Sequence, residues 1–179
     1  PRRAAWYYWT GFLQSLTGAS ADVSIAYCRQ ASEIAEQEGL DDLRAYAQCC
    51  LAHVHLVAGN LHDALKAGEW ALDVFETRGN PWWACRTLWA LLPVTNALGD
   101  WSRALAYCDR ALEHATTMND VRLKVVTHLR RGSTEVQRGD PSRALEACAQ
   151  AVALSPGPFD EAMLKAVRGS ALMKGPDVP

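Results

Sequence analysis

Apolar residues recur at intervals of three and four along nearly the whole chain, which is the spacing of helices with one apolar face. Short polar stretches containing Gly, Asn or Asp separate these segments. No segment shows the strict two-residue alternation of a half-buried strand. The pattern therefore predicts an all-α protein, with helices near residues 3–17, 22–38, 41–58, 61–78, 81–98, 101–117, 120–138, 141–154 and 159–173.

The turns between these helices follow a 40-residue repeat. One set of turns carries Gly followed by Asn or Asp, at Gly59-Asn60, Gly99-Asp100 and Gly139-Asp140. A second set consists of residues that adopt the left-handed conformation at helix ends, namely Gly39, Gly79 and Asn119. A fixed period of this size is typical of a helix–turn–helix unit repeated in tandem. We therefore predict one repeat domain over 1–179, with antiparallel helix pairs at about 3–38, 41–78, 81–117 and 120–154 and a terminal helix at 159–173.

Small residues fill further columns of the same repeat. One column holds Ala64, Ala104 and Ala144, and another holds Cys28, Gly68, Cys108 and Cys148. A position that accepts Cys or Gly requires a small side chain, and free Cys packs there as a small hydrophobe. The remaining cysteines, Cys49, Cys50 and Cys85, have no CxxC spacing. We expect all six to be structural and reduced, which implies a reducing compartment and a cytoplasmic protein.

Several residues at the starts of helices are candidates for helix caps. Asp41, Asn80 and Asp120 are predicted N-caps because their side chains accept hydrogen bonds from the first backbone amides. Pro81 and Pro141 suit the first helical turn, where no intrahelical partner is needed for the missing N–H.

Composition narrows the classes of partner. Of the 179 residues, 49% are hydrophobic and 21% charged, which is ordinary for a folded protein and too apolar for disorder. The net charge of −2 gives no indication of direct nucleic-acid binding, and no apolar run reaches the length of a membrane span. Because the chain begins at Pro1 without Met, we expect it to be an excerpt from a longer protein.

Catalytic and metal-binding patterns are not found. The one cluster resembling a metal site is formed by His53, His55, His62 and Asp63. His53 and His55 are two residues apart on a predicted helix, so they point in different directions. No GxSxG sequence is present, and no Cys has an evident His partner. We therefore expect no enzymatic activity, no metal and no cofactor.

The second, third and fourth units resemble the tetratricopeptide repeat. The residues that carry the resemblance are Gly59-Asn60, Ala64-Leu65 and Ala71-Leu72, repeated as Gly99-Asp100, Ala104-Leu105 and Ala111-Leu112 and as Gly139-Asp140, Ala144-Leu145 and Ala151. The unit is 40 residues long instead of the usual 34, and the proline after the second helix is absent. The longer unit is similar to repeat regions of large bacterial signalling proteins and transcription regulators.

The resemblance implies a right-handed superhelix whose first helices line a concave, protein- or peptide-binding face. Projecting the first helices of each pair gives the candidate residues for that face. They are Trp6, Trp9 and Leu13; Tyr46, His53 and Val57; Arg86, Trp89 and Asn96; and Arg130, Ser133 and Gln137. Other domains of the same chain are alternative partners.

Self-association into a homodimer, with no peptide ligand, is the second interpretation. Seven Trp residues are present, and Trp82 and Trp83 begin the third pair directly after Asn80-Pro81. Two interpretations of this Trp pair stay open, packing against the neighbouring unit or an exposed aromatic patch used for association.

Overall fold

The computed structural model describes residues 1–18 and 20–174, and every regular element in this part of the chain is an α-helix. The helices are α1 (Arg2–Leu16), α2 (Ala21–Gln37), α3 (Asp41–Val57), α4 (Leu61–Thr77), α5 (Pro81–Ala97), α6 (Trp101–Thr117), α7 (Val121–Arg138), α8 (Pro141–Ala153) and α9 (Pro158–Met173). The all-α prediction is confirmed, and each predicted bound lies within one residue of the observed one. Residues 19 and 175–179, which the predicted domain includes, lie outside the described residues.

Residues in the left-handed backbone conformation end the helices at both predicted sets of turns. The turn inside each pair has positive φ at Gly59, Gly99 and Gly139, and the turn between pairs has it at Gly39, Gly79 and Asn119. Glycine has no Cβ to clash in this conformation, and Asn is among the few other residues that tolerate it. The chemistry of these turns therefore sets the 40-residue helical repeat.

Two of the three predicted N-caps are confirmed. Asp120 Oδ1 accepts a hydrogen bond of 2.9 Å from the Leu123 amide, and Asn80 Oδ1 accepts one of 3.3 Å from the Trp83 amide. The prediction for Asp41 is wrong, because α3 has Leu40 as its N-cap residue and no side-chain cap. Asp41 lies one position later, in the first turn, where its carboxylate still interacts favourably with the positive end of the helix dipole.

Replacing the confirmed cap at α7 gives a direct test of this local chemistry. We expect Asp120→Ala to lower the free energy of unfolding by about 1 kcal/mol, because the Leu123 amide loses its side-chain acceptor. Asp120→Asn keeps an acceptor at the same position and serves as the control. Urea denaturation followed by circular dichroism measures both, and an equal loss in the two variants would contradict the capping role.

The helices form two compact units, Pro1–Val94 and a second that begins at Thr95. In the first unit α1 packs on α2 and α3, and α3 packs on both α2 and α4. Its core includes Tyr8, Ile25, Cys28, Ala47, Leu51 and Val54. In the second unit α7 contacts α6, α8 and α9, and α8 also contacts α9. Val136, Ala144, Cys148, Val167 and Ala171 form one core cluster there.

The small-residue columns are fully buried, as their pattern predicts. Ala64, Ala104 and Ala144 have no exposed surface, and Cys28, Cys108 and Cys148 are also buried. At Gly68, in the same column as these cysteines, an added Cβ would lie 2.4 Å from Leu91 Cδ2. These columns therefore mark places where helices pack too closely for a larger side chain.

Candidate functional site

Three aromatic rings from three helices of the first unit form a stacked cluster. The rings of Tyr46 and Phe75 are 5.5 Å apart, those of Phe75 and Trp83 are 5.7 Å apart, and those of Tyr46 and Trp83 are 4.7 Å apart. Phe75 is only 1% exposed, whereas Tyr46 and Trp83 are half-buried. Phe75 on α4 is therefore the buried support on which the ring of α3 and the ring of α5 rest.

The first turns of α5 extend this cluster toward solvent. Trp82 is 45% exposed and meets Trp83 edge to face at 5.1 Å. The guanidinium of Arg86, one turn later, lies 5.7 Å from the Trp82 ring centroid and 5.9 Å from that of Trp89. Attraction between a cation and the face of an aromatic ring holds such an arrangement without removing the charge from solvent. Trp83 packs against the rings of the neighbouring helix pair, whereas Trp82 is exposed. The use of the exposed ring for association stays a prediction.

The next turn of α3 adds polar groups beside Arg86. His53 is exposed, and its pKa is lowered by partial desolvation and by the positive charge of Arg86. Burial raises the pKa of the Cys49 thiol to about 11, partly offset by a hydrogen bond with Thr87. The Thr87 hydroxyl lies 3.4 Å from Cys49 Sγ and 2.8 Å from the carbonyl of Trp83. This part of the surface thus carries one cation, a His that favours the neutral form and a protonated thiol at neutral pH.

We call the exposed and half-exposed members of this region, Tyr46, His53, Trp82 and Arg86, the α3–α5 surface. At one end it meets an open groove of about 590 Å³ whose lining includes Leu40, Asp41, Asp42 and Arg78 beside Tyr46. Arg78 lies 2.6 Å from a carboxylate oxygen of Asp41 and 3.4 Å from one of Asp42. Arg78 therefore offsets one of the two negative charges at this end of the surface.

The candidate residues divide between exposed and buried positions. Trp89 is 7% exposed, so its ring supports Arg86 from inside the fold. Asn96 is 9% exposed, and its side-chain amide donates a 3.1 Å hydrogen bond to Thr134 Oγ1. Both residues are held by intramolecular packing, which leaves little of either side chain for a ligand. Val57 and the α1 residues Trp6, Trp9 and Leu13 are exposed.

The remaining candidates lie together on α7 of the second unit. Arg130, Ser133 and Gln137 follow at intervals of three and four residues and so share one side of the helix. Arg130 and Ser133 are half-buried and Gln137 is exposed, and the Gln137 amide donates to Ser133 Oγ at 3.4 Å. They form a polar row that contrasts with the aromatic α3–α5 surface.

Two residues that support this site are missing from the sequence-based candidates. Phe75 lies on a second helix, and Tyr8 on α1 lies with its ring 6.1 Å from that of Tyr46. The projection considered only exposed positions of first helices, so it omitted both supports. The signal available in the sequence was the aromatic character of Phe75 at a core-facing position of an amphipathic helix.

Buried thiols and histidines have ordinary structural surroundings. Burial raises the pKa of Cys108 to about 12 and also raises that of Cys148, so both are protonated thiols at neutral pH. His55 is buried, and its Nδ1 lies 3.5 Å from the Asn60 side-chain amide. Over residues 1–18 and 20–174, no three His, Cys, Asp or Glu side chains are grouped so as to hold a metal ion.

No helix among the described residues has a stretch that is both long and apolar enough to cross a bilayer. Two further searches gave no match. No protein-family model matches the chain, and a search of curated proteins gives no match. The case for a tandem helical repeat therefore rests on the chain's own periodic sequence and on the helices and turns that follow it.

Proposed function

We propose that this chain is a tetratricopeptide-type module, with the right-handed superhelix of that fold, that binds a protein or peptide partner through its first helices. The ligand contacts the α3–α5 surface of the first unit. The module has no catalytic activity of its own. It serves a larger cytoplasmic regulatory or signalling protein, either by capturing another protein or by binding another domain of the same chain.

The observation that carries this proposal is the exposed pairing of Trp82 with Arg86. Trp and Arg are the residue types most enriched at binding hot spots, because each offers a large contact area and a polar group. Here the two side chains are already held against each other, with the buried ring of Trp89 behind them. Because these side chains are already ordered, less conformational entropy is lost when a partner binds.

The charges on this surface favour a particular ligand chemistry. Arg86 is exposed, whereas the nearby Asp41 and Asp42 are paired with Arg78. A ligand that brings apolar side chains for the rings of Trp82 and Tyr46 and a carboxylate for Arg86 is therefore favoured. We expect an extended or helical peptide of acidic and aromatic or aliphatic residues.

A displayed library of random 15-residue peptides tests the proposal on the 179-residue chain. We expect selection to enrich acidic peptides that contain aromatic or aliphatic residues. Trp82→Ala and Arg86→Ala should each weaken binding of a selected, fluorescently labelled peptide by roughly 10- to 30-fold, which corresponds to about 1.4–2 kcal/mol. Fluorescence anisotropy measures the dissociation constants.

Matched controls separate the surface from general effects of charge and apolar area. Arg29→Ala removes an exposed arginine and Val23→Ala trims an exposed apolar side chain, both on the second helix α2. Neither should change the affinity by more than about twofold, because neither lies on the α3–α5 surface. The proposal is wrong if no peptide is enriched, or if the control variants lose as much affinity as Trp82→Ala and Arg86→Ala.

A further inference from the structure

Two cysteines lie at the same level of neighbouring helices, Cys28 on α2 and Cys50 on α3. Each is 11 positions from Gly39, which has positive φ in the turn that joins the two helices. Residues at equal distances from a short turn lie side by side when the two helices pack antiparallel. The two thiols accordingly share a hydrogen bond, and both belong to the core cluster of the first unit. We call Cys28 and Cys50 the thiol pair.

The equivalent positions at the later turns between helix pairs are also close together. After α4 and α6 they hold Gly68 with Ala90 and Cys108 with Arg130. A Cβ added to Gly68 would lie 2.4 Å from Leu91, the residue that follows Ala90. The repeat thus brings these two columns together. Of these three turns, only the one between α2 and α3 has a thiol on both sides.

Helix α1 covers the thiol pair. Cys28 has no exposed surface, and Cys50 is 6% exposed. A Cβ added to Gly11 of α1 would lie 2.6 Å from Cys28 Sγ, so the absence of a side chain at Gly11 lets α1 pack directly on that sulfur. One turn later, the Ser15 hydroxyl forms a hydrogen bond with the Cys50 thiol. An oxidant from solvent therefore reaches the pair when α1 moves away from it.

The covered thiols are also in the less reactive protonation state. The hydrogen bond with Cys28 and burial raise the pKa of Cys50, so that its thiol is protonated at neutral pH. The thiolate, and not the thiol, is the nucleophile in cysteine oxidation. The pair is thus protected while the first unit is closed, and it becomes reactive when local opening admits water.

We propose that Cys28 and Cys50 are a redox-controlled crosslink, which a hydroperoxide oxidises to a disulfide between α2 and α3 and a dithiol reductant returns to two thiols. In a reducing compartment the pair stays reduced. When opening of the first unit coincides with a rise in hydroperoxide, the disulfide forms. It then stabilises the first unit, because it restricts the unfolded chain between the two helices.

Hydrogen peroxide supplies the oxidising equivalents for this step. The Cys50 thiol loses its proton on opening, and its sulfur attacks one peroxide oxygen. The S–O bond forms, the O–O bond breaks, and the departing hydroxide takes the proton to become water. The Cys28 sulfur then attacks the Cys50 sulfur, the S–S bond forms, the S–O bond breaks, and a second water leaves with the Cys28 proton. The two thiols lose two electrons and two protons, and the peroxide gains them.

Peptide mass spectrometry after treatment with hydrogen peroxide tests the pairing on the 179-residue chain. Trypsin releases Cys28 in peptide 4–29 and Cys50, together with Cys49, in peptide 45–66. Once free thiols are alkylated, we expect these two peptides to be joined roughly tenfold more often than any other pair, because disulfide geometry is specific. Dithiothreitol should separate them. The oxidised chain should melt roughly 5–10 °C higher than the reduced chain.

Variants of the two adjacent cysteines on α3 identify the reacting sulfur. Cys50→Ala should abolish both the joined peptides and the rise in melting temperature. Cys49→Ala should keep both, because the Cys49 thiol lies against Thr87 of α5 instead of α2. Each oxidised variant is compared with its own reduced form, so any effect of the substitution on stability cancels. The absence of joined peptides overturns the proposal, as does a crosslink that survives Cys50→Ala.

Gly11→Ala tests the cover that α1 provides. The added methyl group meets Cys28 Sγ and displaces α1, so the crosslink should form roughly three- to tenfold faster. Gly169→Ala adds the same group on α9, where it meets none of the described atoms within 4 Å, and it should leave the rate unchanged. Equal rates in the two variants would overturn protection by α1. Neither thiol belongs to the α3–α5 surface, so peptide binding succeeds or fails independently.

Discussion

Phe75→Ala is expected to lower the free energy of unfolding by about 4 kcal/mol. The ring is 1% exposed and stacks on both Tyr46 and Trp83, so its removal loses buried apolar area and leaves a cavity under two aromatic side chains. Aromatic stacking adds to the loss beyond the transfer of apolar area. Since the same ring supports the α3–α5 surface, the variant should also bind selected peptides more weakly at temperatures where it remains folded.

Tryptophan fluorescence during urea denaturation is the appropriate measurement, because six of the seven tryptophans lie in the first unit with Phe75. Phe159→Ala is the control. It removes the same ring from a position that is 78% exposed, and it should change the free energy of unfolding by less than about 0.5 kcal/mol. A loss below about 1 kcal/mol in Phe75→Ala would show that the ring is not the support inferred from the structure.

The helices could be predicted from the sequence because local chemistry determines where each one ends. Gly59, Gly99 and Gly139 have positive φ, and so does Asn119. Asn is the residue type that best replaces glycine in this conformation. These signals need no tertiary information, and they agree with the apolar period on both sides of each turn. The error at Asp41 is instructive, since Asp is common both as a cap and in the first turn, and sequence alone does not separate two adjacent positions.

The site could be predicted only in part, because exposure depends on neighbouring helices that a helical projection leaves out. Trp89 and Arg86 are three residues apart on α5, yet Trp89 is buried and Arg86 is exposed. The polar side chain of Asn96 suggests a position exposed to solvent. Its hydrogen-bond partner is instead Thr134, which is 38 residues away in the sequence. Long-range pairings of this kind arise from packing, and no local pattern encodes them.

Gly68→Leu is expected to lower the free energy of unfolding by about 3 kcal/mol. An added Cβ at this position would lie 2.4 Å from Leu91 Cδ2, 2.9 Å from Leu91 Cγ and 3.3 Å from Ala52 Cβ. Leu91 is fully buried, so its side chain has little room to move away. Helix propensity alone predicts that Gly68→Leu raises the free energy of unfolding, because Leu is favoured over Gly in a helix interior by nearly 1 kcal/mol. Urea denaturation therefore decides between close packing and local propensity.

Gly169→Leu is the matched control, since Gly169 lies inside α9 and an added Cβ there meets none of the described atoms within 4 Å. That variant should gain roughly 0.5–0.8 kcal/mol from propensity. In a double-mutant cycle, Gly68→Leu combined with Leu91→Ala should lose less than the sum of the two single losses, because the smaller side chain makes room for the larger one. Equal and favourable effects at Gly68 and Gly169 would contradict close packing at the small-residue column. The 40-residue repeat would then reflect the turns alone, with no steric requirement where the helices meet.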